Sequence, residues 1–189
     1  MSRIRIIIVA ALAGAALAFA PSEYAAKRIA APDAPHVNWL SWEEAMSLSQ
    51  KEKKKILFAV YTEWCGWCKR MDQATFDQPD IANYINTHFY AVKFDAEQRE
   101  ELVYKGKTYK LVKTGKRHYH ELAAELLRGQ MSFPSIAFLD EELELIQTIV
   151  GYKPPQQFEK IATYFAADHY LKVPWSNYEK NYQPVLIKD

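Results

Sequence analysis

The chain contains two cysteines, Cys65 and Cys68, which form a Cys-x-x-Cys motif. The apolar, partly β-branched run Ile56–Thr62 precedes the motif and predicts a buried strand, and a helix is expected to follow through about Ala74. The first cysteine would then lie at a helix N-terminus, where unpaired N–H groups and the helix dipole favour a thiolate. We therefore expect Cys65 to attack a disulfide and Cys68, one helical turn later, to resolve the mixed disulfide that forms.

The neighbours of the cysteines predict a surface for a peptide substrate. Trp64 and Trp67 would place flat apolar surface beside the sulfur, which suits the binding of an extended chain. Gly66 would let the substrate backbone approach closely, and Lys69 adds positive charge near the thiolate. We take Trp64, Gly66 and Trp67 as candidate substrate-binding residues.

The cysteine pair has other interpretations. As a purely local disulfide it would close a very short loop and constrain the unfolded chain little. Two buried thiols would be inert, as structural cysteines are. A zinc site usually has four ligands, so His118 and His120 would have to complete it, yet a His-x-His in a basic, tyrosine-rich stretch is more typical of a surface. The sequence therefore predicts no metal site and no cofactor.

Helices and strands alternate around the motif. Before it, Ser41 and Glu44 form a capping-box pattern at the start of a helix expected over Trp39–Lys54. After it, the patterns predict a short helix, a strand, two hairpin strands and a closing helix: Asp80–Asn86, Phe89–Asp95, Ile136–Leu139, Leu143–Val150 and Pro155–Phe165. Alternation that ends in a hairpin predicts an α/β fold with a central mixed β-sheet flanked by helices on both faces.

Residues 98–131 interrupt this alternation as an insert. Tyr104–Val112, with Gly106-Lys107 at its turn, predicts a β-hairpin, and Tyr119–Leu127 predicts a helix that Gly129 ends. The insert also carries a set of cations interleaved with tyrosines: Lys105, Lys107, Lys110, Lys113, Lys116 and Arg117. This hairpin-plus-helix insert either recognises a partner beside the cysteines or covers a sheet edge as a solvated element.

The N-terminus has the composition of an export signal. Arg3 and Arg5 precede the uncharged run Ile6–Ala20, which is shorter than the ~20 residues of a membrane-spanning helix. We interpret residues 1–20 as a signal peptide, with an uncleaved membrane anchor as the alternative, and residues 21–36 as a linker. Either interpretation predicts that the rest of the chain works outside the cytoplasm.

The rest of the chain predicts one domain and no nucleic-acid partner. The domain spans residues 37–166, and the Tyr- and Trp-rich tail 167–189 is expected to pack on it. About half of the 189 residues are apolar, which is enough for a sizeable core. The net charge is +1, so the whole-chain charge carries no nucleic-acid footprint. We expect a monomer.

The residues around the motif resemble a known family. The sequence Trp-Cys-Gly-Trp-Cys-Lys at residues 64–69 resembles a thioredoxin-family active site, and Ile56–Tyr61 is similar to the strand before it. Met71, Thr75 and Phe76 resemble a pattern of the periplasmic branch of thioredoxin-like proteins. That branch includes the C-terminal domain of the transmembrane disulfide reductases.

The resemblance extends beyond the motif, over residues 38–98 and 131–166. Residues 92–97 resemble the second strand of the same branch, and Gly151 resembles the glycine after the last strand. Phe133-Pro134 resembles the family's cis-proline position, which the insert would directly precede. The resemblance implies a thioredoxin-like fold in which Pro134 lies against the cysteine pair and Phe133 pairs with substrate backbone.

Two departures from the family pattern affect the expected chemistry. Thioredoxin has a buried Asp six residues before the first cysteine, where it assists deprotonation of the second, and this chain has Ala59 there. Asp72 and Asp95 are the candidates for that role. The dipeptide between the cysteines is Gly-Trp, unlike that of thioredoxin, and it leaves the direction of electron flow open.

The residues and the resemblance together predict an exported, periplasmic thiol–disulfide oxidoreductase that acts on protein disulfides as a reductase or isomerase. Because an oxidising compartment would leave a reductase idle, we also predict a membrane partner that supplies electrons. The alternative is a non-catalytic binding module of the same fold. It would hold extended peptides in the tryptophan-rich groove or carry Cu(I) on the cysteine pair.

Overall fold

A computed structural model of the chain describes residues 35–115 and 117–187. The interpretation of residues 1–20 as a signal peptide or anchor, and nearly all of the predicted linker over 21–36, lies outside these residues. The described strands are β1 (Trp39–Leu40), β2 (Lys55–Tyr61), β3 (Phe89–Asp95), β4 (Leu102–Tyr104), β5 (Lys107–Tyr109), β6 (Leu111–Thr114), β7 (Arg117–His120), β8 (Ser135–Leu139) and β9 (Leu145–Val150). The helices are α1 (Trp42–Lys51), α2 (Gly66–Met71), α3 (Pro79–His88), α4 (Glu121–Leu126), α5 (Pro155–Ala166) and α6 (Trp175–Asn181).

Five strands form a central mixed sheet in the order β1-β3-β2-β8-β9. The first three are parallel to one another, whereas β8 runs antiparallel to β2 and β9 antiparallel to β8. The predicted α/β fold with a mixed sheet is confirmed. The sheet places the end of β2, where the Cys-x-x-Cys motif begins, at its centre.

Helices cover both faces of the sheet, which explains the uninterrupted apolar run of β2. Leu57 and Ala59 point into a core shared with α3 and α5. Ile56, Phe58 and Val60 point into a second core, shared with α1, α4 and the first insert hairpin. A strand buried on both faces cannot alternate apolar with polar residues, because either kind of position loses its water.

Helix α1 begins later than its sequence pattern predicts. Ser41 is the N-cap, and its reciprocal hydrogen bonds with Glu44 confirm the capping box. Trp39 and Leu40 were expected to be helical, but they form β1 and pair with β3. The prediction was wrong there because pairing at the open edge of β3 satisfies their backbone groups, which local propensity does not reveal.

The insert contains two hairpins, one more than predicted. In the first, β4 and β5 are joined by Lys105 and Gly106, both with positive φ, so the turn lies one residue earlier than expected. In the second, β6 pairs with β7, and Tyr119 is in a strand instead of the predicted helix. Helix α4 starts only at Glu121, because the His120 side chain accepts a hydrogen bond from the Leu122 N–H and caps the helix.

The C-terminal tail packs against α5. A 3-10 turn over His169–Leu171 and helix α6 lead the chain back, and the hydroxyls of Tyr164 and Tyr178 bond Val173 and Thr163. The last described residues are held by the buried carboxylate of Glu159. Among the described residues, no helix combines the length and the apolar character needed to cross a membrane.

Candidate active site

The cysteine pair lies between β2 and α2, where its sequence context predicts it. Thr62 at the end of β2 accepts a hydrogen bond from the Cys65 N–H at 3.0 Å. Cys65 is the N-cap of α2, and its Sγ accepts a bond from the Cys68 N–H at 3.0 Å. A disulfide joins Cys65 to Cys68, and the two residues are 5% and 3% exposed. An N–H aimed at the first sulfur favours its thiolate form once the disulfide is reduced.

The cis-proline lies beside the cysteines. The Phe133–Pro134 peptide bond is cis, as the resemblance implies. The Pro134 carbonyl accepts a hydrogen bond from the Gly151 N–H at 2.8 Å, which ties the start of β8 to the end of β9. Pro134 and Cys68 line the same small cavity. The antiparallel pairing of β8 with β2 therefore brings together segments that lie more than 60 residues apart in the chain.

Two aromatic pairs flank the disulfide. Trp64 is 68% exposed and contacts Phe133 edge-on, with ring centroids 6.0 Å apart. Trp67 is 60% exposed and packs on Tyr152 at 5.5 Å. Open space lies above Gly66, between the tryptophans, because a Cβ placed there would meet no atom within 4 Å. The predicted residues thus border one exposed surface around a buried disulfide.

Tyr152 was not predicted as part of this surface. It follows Gly151, whose positive φ of 84° ends β9 and turns the chain toward α2. The only sequence signal was that glycine, since the contact with Trp67 joins residues 85 positions apart.

A carboxylate from another element lies near position 59, where this chain has no Asp. Ala59 is buried and pairs in register with Lys93 of β3. The Lys93 ammonium forms an ion pair with Asp72, the first residue after α2, and lies 4.7 Å from the Trp39 ring centroid. Ala59, Asp72 and Lys93 line the same cavity as Cys68. A carboxylate from the helix side therefore borders the region that the family's strand Asp would occupy.

Asp95, the other candidate, has a different environment at the end of β3. Its Oδ1 accepts a hydrogen bond from the Glu97 N–H at 2.9 Å. Burial raises the pKa of Asp95, and the negative charges of Glu97 and Glu63 act in the same direction. Asp72, which shares a cavity with Cys68, is the better candidate of the two.

One chain of contacts joins the insert to the active-site surface. The Trp64 Nε1–H donates to Glu97 Oε1 at 3.1 Å. The other oxygen of Glu97 lies 3.8 Å from His118 Nε2 on β7. The carboxylate of Glu97 thus connects the second hairpin to Trp64, the residue before Cys65.

The two histidines that a metal site would need have different environments. His120 is fully buried, and its ring nitrogens face the Leu122 N–H and the Glu100 carbonyl, so both are engaged. His118 is exposed beside Glu97. In the part of the chain that the structure describes, no three His, Cys, Asp or Glu side chains are grouped to hold a metal ion.

The sheet order, the cysteine pair at the start of α2 and the adjacent cis-proline define a thioredoxin-fold protein. The family described as "Thioredoxin-like domain" matches residues 42–166, and the chain belongs to that family. The recognition of a thioredoxin-like protein from the sequence is confirmed.

Named relatives fall into two groups. Spermatogenesis-associated protein 20 of Homo sapiens is 33% identical over 67 residues, which are 35% of this chain and 8% of that protein. The chain therefore matches only a small part of that relative. The Disulfide bond reductase DsbH of Chlamydia pneumoniae is 24% identical over 122 residues, 64% of this chain and 66% of the relative.

A solved structure of a DsbH oxidoreductase superposes with a TM-score of 0.51 at 18% identity, covering 72% of this chain and 89% of that one. This structural likeness shows the shared fold.

Proposed function

We propose that this protein is an exported thiol–disulfide oxidoreductase that reduces or isomerises disulfides of protein substrates. The observation that carries the proposal is a redox-capable Cys65–Cys68 pair at the N-terminus of α2, beside a cis-proline and beneath exposed tryptophans. The similarity to a protein named Disulfide bond reductase supports the reducing direction. Export and a periplasmic location rest on the composition of residues 1–20.

The proposed reaction moves two electrons from the protein to its substrate. The Cys65 thiolate attacks one sulfur of the substrate disulfide, forms a mixed disulfide and releases the other substrate sulfur as a thiolate. The Cys68 thiolate then attacks Cys65 Sγ, which forms the Cys65–Cys68 disulfide and releases the second substrate thiolate. Both released thiolates take protons from solvent. The substrate is reduced and the protein is left oxidised, the state that the structure shows.

The exposed surface around the pair would position the substrate. Trp64 with Phe133 and Trp67 with Tyr152 form two apolar walls, and the open space above Gly66 would admit the backbone of an extended chain. Phe133, which precedes the cis-proline, would bond the substrate backbone. Burial of both sulfurs makes this approach selective, because only a disulfide presented closely can reach Cys65.

Turnover requires a source of electrons. In an oxidising compartment the Cys65–Cys68 disulfide would persist after one cycle unless a partner reduced it. We propose a membrane protein as this electron donor. Membranes of the source organism should reduce the purified oxidised protein, as followed by thiol alkylation, and failure to do so would exclude the membrane donor.

The reduction potential of the cysteine pair tests the direction of electron flow. We expect a value near that of thioredoxin, about −270 mV, when the protein is equilibrated with glutathione buffers and the alkylated forms are separated. A value near about −120 mV would instead mark an oxidase that donates its disulfide to substrates. If the pair did not form a disulfide reversibly, the oxidoreductase proposal would be wrong.

Replacing Asp72 with asparagine is expected to slow the second step of the reaction. The Asp72 carboxylate would accept the Cys68 proton through the cavity that both residues line, and such general-base assistance is worth roughly 10²–10⁴-fold. The mixed disulfide should therefore decay more slowly at neutral pH. The deficit should shrink as the pH rises, since Cys68 then ionises without help.

Single-turnover reduction of a peptide disulfide between pH 5.5 and 9.5 measures this effect. Asp77→Asn is the matched control, because Asp77 is an exposed carboxylate one turn further along. Overlapping pH profiles for the two variants would show that Asp72 has no role in the proton transfer.

A further inference from the structure

The charges of this chain are distributed very unevenly. Residues 105–118 contain six cations and no Asp or Glu, so this segment carries +6. Because the whole chain carries +1, the other residues together carry −5. A segment of this density creates a local positive field that the net charge conceals, and such a field favours and steers an anionic partner.

Most of these cations are exposed and available to a partner. Lys105 forms an ion pair with Glu144 of the loop before β9. Lys107, Lys110, Lys113 and Arg117 are exposed, and none of these four forms a salt bridge within the described residues. On ordinary protein surfaces, lysines and arginines are usually interspersed with carboxylates. The cations of residues 105–118 have no Asp or Glu between them. Lys113 and Arg117 belong to the β6–β7 hairpin, which we call the basic hairpin.

The basic hairpin has a defined orientation relative to the active site. Successive residues of a strand point to opposite faces, so His118 and His120 share one face of β7. His120 is buried in the domain and His118 contacts Glu97, which bonds Trp64. Lys113 pairs in register with His118 and therefore lies on the same face, whereas Arg117 lies on the opposite face and contributes to the positive field of the hairpin. The face with Lys113 leads toward the rim of the active-site surface.

We propose that the basic hairpin is a docking surface for an acidic segment of the protein substrate, located beside the disulfide that the substrate presents to Cys65. This inference rests on the proposed function. Glu97 bonds Trp64 and Glu63 directly precedes it, so an acidic segment placed against the Trp64 side of the active-site surface would be repelled. The charges therefore select substrates whose acidic segment is offset from the disulfide, toward the hairpin.

A protein partner fits this geometry better than a lipid or nucleic-acid surface. The basic hairpin is linked through His118 and Glu97 to Trp64, so a single extended peptide could contact both the hairpin and the surface around the cysteines. Contacts of exposed charges act mainly on the association rate and weaken with salt. The docking surface should therefore raise kcat/KM for suitable substrates without changing the chemistry at Cys65.

The test compares two peptides that share a neutral core with one disulfide. One peptide has a flanking segment of Asp and Glu, and in the other this segment is replaced by Gln and Ser. With the full chain at low ionic strength, we expect kcat/KM about tenfold higher for the acidic peptide, and no preference at high salt. The double variant Lys113→Glu/Arg117→Glu should lose the preference, while its rate with an unflanked small disulfide stays unchanged.

The control is Lys172→Glu/Lys180→Glu, which makes the same charge change at exposed lysines of the C-terminal tail. If both double variants lost the preference for the acidic peptide equally, the preference would depend on net charge and not on the hairpin. That result would overturn the proposal. No acidic preference in the unmodified chain would also overturn it. Hairpin-dependent binding to phosphatidylglycerol vesicles without a peptide preference would assign the surface to a membrane instead.

A binding measurement separates this proposal from the proposed function. Tryptophan fluorescence should report binding of an acidic peptide that lacks a disulfide, in a manner that depends on Lys113 and Arg117. If this binding occurs but neither peptide disulfide nor small disulfide is reduced, the docking surface stands and the oxidoreductase proposal fails. If disulfides are reduced but the acidic peptide is not bound preferentially, the oxidoreductase proposal stands and the docking surface fails.

Discussion

Replacing Cys65 with serine is expected to lower the rate of disulfide exchange by roughly a thousandfold or more. A serine hydroxyl is not ionised at neutral pH and cannot form a disulfide, so neither the attack nor the redox cycle remains. Cys65 is the N-cap of α2 and accepts a hydrogen bond from the Cys68 N–H. A serine oxygen at this position would accept the same bond. The fold should therefore persist, and circular dichroism would verify it alongside single-turnover reduction of a peptide disulfide.

Replacing Cys68 with serine is the matched experiment. Cys65 would still attack, but no second thiol could release the substrate, so a covalent mixed disulfide should accumulate and be visible by mass spectrometry. Rapid turnover by the Cys68→Ser variant would contradict the assignment of Cys68 as the resolving thiol. If the mixed disulfide accumulated with the Cys65→Ser variant and not with Cys68→Ser, Cys68 would be the attacking thiol and Cys65 the resolving thiol.

The same variants decide between the oxidoreductase and a binding module. Trp64 and Trp67 are exposed enough to hold peptides without any chemistry. If the Cys65→Ser variant bound unfolded substrate as tightly as the unmodified chain, and the unmodified chain showed no turnover, a peptide chaperone would be the better description. A Cu(I) carrier would instead retain one equivalent of copper under reducing conditions and lose it in either variant.

Replacing Glu159 with glutamine is expected to lower the free energy of unfolding by about 2–4 kcal/mol. Glu159 is 1% exposed. Its Oε1 accepts hydrogen bonds from the Tyr182 hydroxyl and from the Val185 and Leu186 N–H groups, and its Oε2 accepts from the Ile187 N–H. Glutamine would present an N–H to one of these donors and leave two buried donors facing each other. Residues 185–187 would then detach from α5.

The stabilisation by Glu159 should depend on pH in a defined direction. Burial alone would raise the pKa of this carboxyl, but the hydrogen bonds from Leu186, Tyr182, Val185 and Ile187 outweigh it, and the net shift is downward. A lowered folded-state pKa means stabilisation that is complete above the unfolded value, about 4.3. That stabilisation is lost as the pH falls through the folded value.

Urea denaturation at several pH values measures this contribution. The difference between the unmodified chain and Glu159→Gln should be constant near neutral pH and shrink in acid. Glu125→Gln, at an exposed position of α4, is the control and should change the unfolding free energy by no more than about 0.5 kcal/mol. An equally small effect for Glu159→Gln would show that this carboxylate does not hold residues 185–187.

Much of the framework could be predicted from local patterns. The capping box at Ser41, the apolar run of β2 and the closing helix α5 all appear as predicted, because each depends on side-chain periodicity or a cap within a few residues. The mixed sheet followed from the alternation of helices and strands that ends in a hairpin, and the cis-proline followed from the resemblance. Predictions failed where a longer-range contact prevailed, as in β1, which exists only because β3 offers an edge.

The insert shows why local patterns were insufficient. Hairpin β6–β7 has no Asn-Gly turn and no clear apolar alternation, and its strands appear in the sequence as a basic stretch leading into a helix. His120 resolves the ambiguity, because its burial and its bond to the Glu100 carbonyl fix where the strand ends and α4 begins. A buried histidine of this kind has no sequence signature.

The sequence by itself determined the chemistry that this protein can offer: two thiols at the spacing of a helical turn, after a buried strand, each directly preceded by a tryptophan. The tertiary structure alone decided what surrounds them. Tyr152 beside Trp67, Asp72 beside Cys68 with Lys93, and the link from Trp64 through Glu97 to His118 all join different elements. The physical reason is that a motif is set by neighbours along the chain, whereas an environment is set by the packing of segments that are distant in sequence.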